Sequence, residues 1–157
     1  MKINARDGKL ELDALPGHFI RRLQQIAVAI FLEETELQGI TPVQYAALTA
    51  VERAPGIDQR TLARAIGFDT STITGVIDRL EARGLMLREA SSDDRRVRLL
   101  ALTDDGRKLL LAVEPAVLRA QARMLEPLPQ VERAEFMRML CVLVTANNEL
   151  SRAPREI

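Results

Sequence analysis

The chain has 157 residues but only one cysteine (Cys141), one histidine (His18) and three lysines against nineteen arginines. A lone cysteine excludes an internal disulfide, and a cytosolic protein is the expectation. There is no clustered set of metal ligands, no Gly-rich phosphate loop, and no Ser or Cys with a sequence-local catalytic partner. These absences argue against an enzyme, so no catalytic residue, metal or cofactor is expected. No stretch approaches the roughly 20 uninterrupted apolar residues of a membrane span, and Met1 to Leu15 lacks the apolar run of a signal peptide. Neither sign of charge is in excess: basic and acidic residues number 22 each, so no global field draws the chain onto a polyanion. There are no internal repeats and no low-complexity segment.

What is present is a well-populated apolar fraction, 47% of residues, in a length that suits one domain with appended elements. Phe19, Leu23, Ile26 and Ile30 recur at helical spacing, which predicts a long amphipathic helix from Pro16 to about Gln38. Thr41-Pro42 starts a second helix that carries Tyr45, Leu48 and Val51 inward. Asp58 can cap a short third helix, Gln59 to Ile66, and Gly67 breaks it. A fourth helix is expected from about Thr70 to Arg83, closed by Gly84.

The period then becomes extended. Leu85 to Ala90 and Val97 to Leu102 read as strands around the polar turn Ser91 to Arg96, which predicts a β-hairpin. Thr103 caps a further helix that Pro115 is expected to kink or interrupt. Pro127 and Pro129 close it, and a last helix runs from Val131 to about Leu150. The fold class is therefore mainly α with a small β-hairpin wing: a winged helix-turn-helix flanked by long end helices. Three segments follow: a dimerisation segment over 1–40, a DNA-binding lobe over 41–103, and C-terminal dimerisation helices over 104–157. Two-fold symmetry in a homodimer would match a palindromic operator in double-stranded DNA.

The fourth helix divides into two faces. Ile73, Val76, Ile77 and Leu80 form one stripe, while Ser71, Thr72, Thr74, Gly75, Asp78 and Arg79 occupy the opposite arc. Short hydroxyl side chains near a helix N-terminus can reach base edges or phosphates, and Gly75 permits close backbone approach. Capping of a solvated helix is the plainer use of Ser and Thr. The turn places Arg95 and Arg96 at a hairpin tip small enough for a minor groove, beside carboxylates that can orient one guanidinium. An ordinary solvated turn is the alternative. Between Arg60 and Arg98 eight basic residues stand against six acidic ones, so affinity would rest on placed arginines rather than on net charge.

The run Ser91 to Gly106, SSDDRRVRLLALTDDG, resembles the wing of MarR-family transcriptional regulators and the start of their dimerisation helix. Thr70 to Leu85 is similar to that family's recognition helix, Gln59 to Gly67 to its first reading helix, and Thr41 to Leu48 to its Thr-Pro, Gln and aromatic pattern. The likeness covers residues 10 to 150. It implies DNA contacts from Gln59, Arg60, Thr70, Ser71, Thr72, Thr74 and Arg79 at the major groove and its phosphates. It also implies that Arg95 enters the minor groove, supported by Asp93 and accompanied by Arg96. Many relatives carry Arg or Asn where this chain has Gly75, so the operator sequence does not transfer.

The same resemblance implies a small aromatic or phenolic acid as effector. His18, Arg21, Arg22 and Gln25 cluster on the first helix beside the Phe19 stripe, where Arg can clamp a carboxylate against an apolar wall. Tyr45 and Thr49 can complete that pocket; a solvated, salt-bridged face is the alternative. The overall reading is a repressor released by such an acid. The rival readings are a protein-interaction module and a redox-gated regulator. Cys141, among Leu140, Val142 and Leu143, is read as a packed small hydrophobe.

Overall fold

Caps and ring constraints set most of the helix boundaries in the computed structural model, which describes residues 5–6, 9–90, 97–151 and 153–154. Strands β1 (Ala5–Arg6) and β2 (Lys9–Leu10) pair antiparallel ahead of the first helix. Pro16, whose fixed φ suits a first turn, opens α1 (Pro16–Glu34). This helix stops short of the expected Gln38. The Thr35 hydroxyl turns back to the carbonyls of Phe31 (2.8 Å) and Ile40 (3.1 Å), and the chain continues as a 3-10 turn, Glu36–Gln38. A Thr that bonds its own backbone competes with helix propagation.

Helix α2 (Pro42–Arg53) begins with a reciprocal cap. The Gln44 amide donates to the Thr41 hydroxyl, and the Thr41 amide donates to Gln44 Oε1. Strand β3 (Ile57–Asp58) follows, a two-residue element too short to register as a strand pattern in sequence. Helices α3 (Gln59–Ile66) and α4 (Thr70–Ala82) form the helix-turn-helix, joined through Gly67 at φ 71°. Strands β4 (Met86–Ala90) and β5 (Arg98–Leu102) make the wing, and β5 lies between β3 and β4 in an antiparallel sheet.

Helix α5 (Asp104–Leu125) is capped by Thr103 and runs through Pro115 without interruption. Pro115 is exposed, so the lost amide bond frees a carbonyl that water can reach. Helix α6 (Gln130–Ala146) ends four residues earlier than predicted. There the Asn147 side chain donates to the Leu143 carbonyl, and a 3-10 turn, Asn148–Leu150, takes over.

One core lies under the reading lobe. Leu48, Leu62, Ile73, Ile77, Leu80 and Leu100 are fully buried, each contributing about 1.5–3 kcal/mol relative to an exposed side chain. Phe31 of α1 and Val113 and Val117 of α5 complete the same cluster. Outside the core, Arg119 and Arg123 of α5 pair with Glu34, and Arg123 also with Glu33. The lobe is thus seated directly on the long helices that flank it.

Candidate nucleic-acid interface and ligand cavities

Two aspartates shape the surface of the helix-turn-helix. Asp58 caps α3 by accepting the Arg60 and Thr61 amides and the Thr61 hydroxyl. Those bonds, the Thr61 hydroxyl foremost, favour the ionised form and hold its pKa below the usual carboxylate value. Asp69 repeats the arrangement on α4. It accepts the hydroxyls of Ser71 (2.5 Å) and Thr72 (2.7 Å) and the Thr72 amide (2.8 Å), which hold its carboxyl well below the carboxylate range. The expected inner stripe of α4 is buried, Ile73, Val76, Ile77 and Leu80 alike. Thr70, Ser71, Thr72 and Arg79 are exposed on the other side, as is Arg60 on α3.

Thr74 and Gln59 are half-buried and bonded to each other. The Gln59 amide donates to the Thr74 hydroxyl, which itself donates to the Thr70 carbonyl at 2.8 Å. This bond links the first turn of α3 to α4 across the helix-turn-helix. Arg79 folds back over Gly75: a Cβ placed there would lie 3.6 Å from its guanidinium. The guanidinium one turn later thus lies within van der Waals reach of a Cβ at position 75. At the far end of α4, Arg83 donates to the carbonyls of Gly39 (2.7 Å) and Gln38 (3.0 Å), tying the helix to the turn after α1.

The tip of the wing, with Asp93, Arg95 and Arg96, lies outside the described residues. Arg88 on β4 reaches back to α4. Its two terminal nitrogens each lie 2.5 Å from a carboxylate oxygen, one of Asp78 and one of Glu81. Partial burial works against the charged guanidinium, but the two carboxylates outweigh it, and the pKa is raised.

The residues read as one effector pocket divide between two cavities and an outer face. His18 and Arg22 line a cavity of about 850 Å³ between α1 and α6, with Phe19, Ile26, Phe136 and Leu140 among its apolar walls. Arg21 and Gln25 do not line it; Arg21 donates to Gln25 Oε1 at 3.2 Å on the exposed side of α1. Tyr45 and Thr49 line a second cavity of about 410 Å³ between α2 and α3, with Arg53 and Ile66. The division follows from helix geometry, since α1 presents its His18–Arg22 face to α6 rather than to α2. Cys141 is exposed rather than packed, because α6 buries no side chain in this chain.

A sequence profile of the MarR family matches residues 40–97. The transcriptional regulator HosA of Escherichia coli is 33% identical over 123 residues, spanning 78% of this chain and 90% of its own. The chain belongs to the MarR family. Among solved structures, the repressor CouR of Rhodococcus jostii bound to a 23-mer DNA duplex superposes with a TM-score of 0.80 at 32% identity, covering 85% of this chain and 95% of CouR. BpsR of Bordetella bronchiseptica, whose DNA binding is regulated by 6-hydroxynicotinic acid, superposes at 0.81 with 29% identity over 87% of this chain and 97% of its own.

This MarR-family protein is thus a DNA-binding transcriptional regulator with the winged helix-turn-helix fold. Several residues that organise its site had no signal in the sequence. Arg83 and Arg88 act across sequence distances that no local pattern spans. Gly106 was legible only as part of the family's wing-to-helix run. It permits the first turn of α5 to lie on the Leu85 carbonyl, which an added Cβ would overlap. The Thr103 hydroxyl, donating to the Gly84 carbonyl at 2.6 Å, closes the same junction.

Proposed function

We propose that this regulator is a homodimeric repressor of a palindromic operator, released when a small aromatic or phenolic carboxylic acid binds beside α1. In this reading Gln59, Arg60, Thr70, Ser71, Thr72 and Arg79 serve the major groove and its phosphates, with Thr74 held by Gln59 beneath them. Arg95 and Arg96, with Asp93, serve the minor groove at the wing tip.

The observation that carries the effector is the shared wall of His18 and Arg22 in a large, mostly apolar cavity. Arg stays charged at every relevant pH, and an aromatic carboxylate supplies both an anion for its forked donors and a ring for the apolar wall. That BpsR responds to 6-hydroxynicotinic acid supports this class of ligand. Release from DNA requires the ligand to bind one arrangement of the two reading lobes more tightly than the other.

Calorimetry with benzoate, salicylate and hydroxylated pyridine carboxylates tests the reading directly. Arg22→Ala is expected to abolish ligand-driven release while leaving duplex affinity within about twofold, since Arg22 lies on α1 away from α4. Full ligand response in Arg22→Ala, or no heat from any of these acids, rejects the carboxylate clamp.

A further inference from the structure

Arg88 occupies an unusual place for a charged residue. In the wing ladder it stands opposite Leu100, and Met86 stands opposite Leu102. Directly opposed residues on antiparallel strands share a face of the sheet, and Met86, Leu100 and Leu102 are all buried. Arg88 therefore springs from the core face of the wing, at the point along β4 where the core ends. Its side chain is only 20% exposed, whereas those of Asp78 and Glu81 are 57% and 41% exposed. A half-buried guanidinium needs partners, and α4 supplies two, one for each terminal nitrogen.

The position along the strand matters as much as the pairing. Glu89 and Ala90, which follow, are exposed, so Arg88 is the last residue of β4 held against the body of the lobe. The recognition helix and the wing are therefore joined at two levels. Apolar packing through Leu85 and Met86 joins them at the base, and the Arg88 bridge joins them further out towards the tip. With only the basal contact the outer part of β4 can pivot against α4; the second contact fixes its direction.

We infer that Arg88 is a positioning residue for DNA recognition: by bridging Asp78 and Glu81 it sets the angle between the recognition helix and the wing. One lobe can then engage a major groove and the adjoining minor groove together. The inference rests on the DNA-binding role of the lobe. It also explains why α4 carries acidic residues beside its DNA-facing arc, where bare carboxylates would repel phosphates.

Charge and geometry make opposite forecasts for one variant. Asp78→Asn combined with Glu81→Gln removes two negative charges from the reading surface, which by electrostatics alone strengthens binding to any duplex. The test uses a duplex recovered with the wild-type protein from a random-sequence library, alongside a mixed-sequence duplex as the non-specific reference. The double variant is expected to hold the mixed duplex at least as tightly as wild type, yet to lose about tenfold on the selected one. Arg88→Met is expected to lose a similar factor on the selected duplex. Arg88→Lys is expected to follow it, because a single ammonium cannot span both carboxylates. Arg88→Met leaves no unpaired guanidinium in the half-buried position, so it carries the test if the acid variant, which strips Arg88 of both partners, loses stability; circular dichroism checks the fold of each variant. Equal or tighter binding of the double variant to the selected duplex overturns the inference while leaving DNA binding intact. Failure of the wild type to enrich any duplex removes the DNA-binding role and the inference together.

Discussion

The reading lobe and the end helices spend similar apolar compositions in opposite ways. In the lobe, α2, α3, α4 and the wing strands turn their apolar residues onto one another, and Leu48, Leu62, Ile77 and Leu80 have no exposed surface. In α6 no apolar residue is fully buried: Val142, Leu143 and Val144 are 52%, 52% and 67% exposed. On α1, Phe19 and Ile20 are each 56% exposed. The lobe closes its core within one chain, whereas the ends present a contiguous apolar surface of the kind soluble monomers rarely leave open. Folding of the lobe is thus a property of the single chain, whereas the ends leave apolar faces for the partner of the proposed homodimer to cover.

The sharpest way to break this comparison is a matched pair of truncations. Leu80→Ala in the lobe is expected to reduce unfolding free energy by about 2–5 kcal/mol, measured by urea titration at fixed protein concentration. Leu143→Ala is expected to leave that midpoint nearly unchanged at high protein concentration and to weaken self-association, seen by sedimentation across a dilution series. If the two variants unfold alike and both remain associated, the division between the two regions fails. The same series checks the homodimer itself, since a stable monomer at micromolar concentration contradicts it.

A second effect is smaller and falls on the lobe alone. Arg95→Ala, at the wing tip, is expected to weaken duplex binding by about 1–3 kcal/mol and leave association through the end helices intact. Affinity unchanged across a salt titration removes the wing from recognition.

The smallest effect is a pH dependence concentrated at the helix-turn-helix. Asp58 and Asp69 both have pKa values lowered below the ordinary 3.8 by hydroxyl and amide donors. A depressed folded-state value means these caps stabilise the folded protein fully above the unfolded pKa and lose that contribution as pH falls from there through the folded-state value. The melting temperature of the wild type is therefore expected to drop below about pH 4, and Asp69→Asn to flatten part of that drop. Glu34, also lowered, chiefly by Arg119, adds a similar slope at the α1–α5 contact. Its separate removal by Glu34→Gln therefore distinguishes lobe from ends. An unchanged slope in Asp69→Asn assigns the acid sensitivity elsewhere.

Local chemistry explains which parts of the fold were legible in advance. Thr41, Asp58 and Thr103 were readable as caps because a cap is a contact between near neighbours in sequence, and each forms the expected bonds. The inner stripe of α4 was readable because helical period alone separates its two faces. Boundaries failed where a side chain turned back on its own backbone, at Thr35 and at Asn147, since sequence period continues past such a point. Strand β3 was missed because two residues carry no alternation; it exists through pairing with β5.

The candidate site divides along the same line. Residue type and helical spacing alone nominated the exposed hydroxyls of α4 and the cationic face of α1. Tertiary packing decided which of those residues meet. It joined Gln59 to Thr74, set Arg22 in a cavity with α6, and assigned Tyr45 and Thr49 to a different cavity. It also made Arg88 a bridge between wing and recognition helix, a role set by the inward face of β4 and the nearness of Asp78 and Glu81. By itself the sequence determined the helices, their caps, the wing and the family, because each depends on contacts a few residues apart or on a contiguous motif. Only the tertiary structure decided the cavities and the cross-element bridges, because they depend on the angle at which one helix or strand crosses another, and no local pattern encodes that angle.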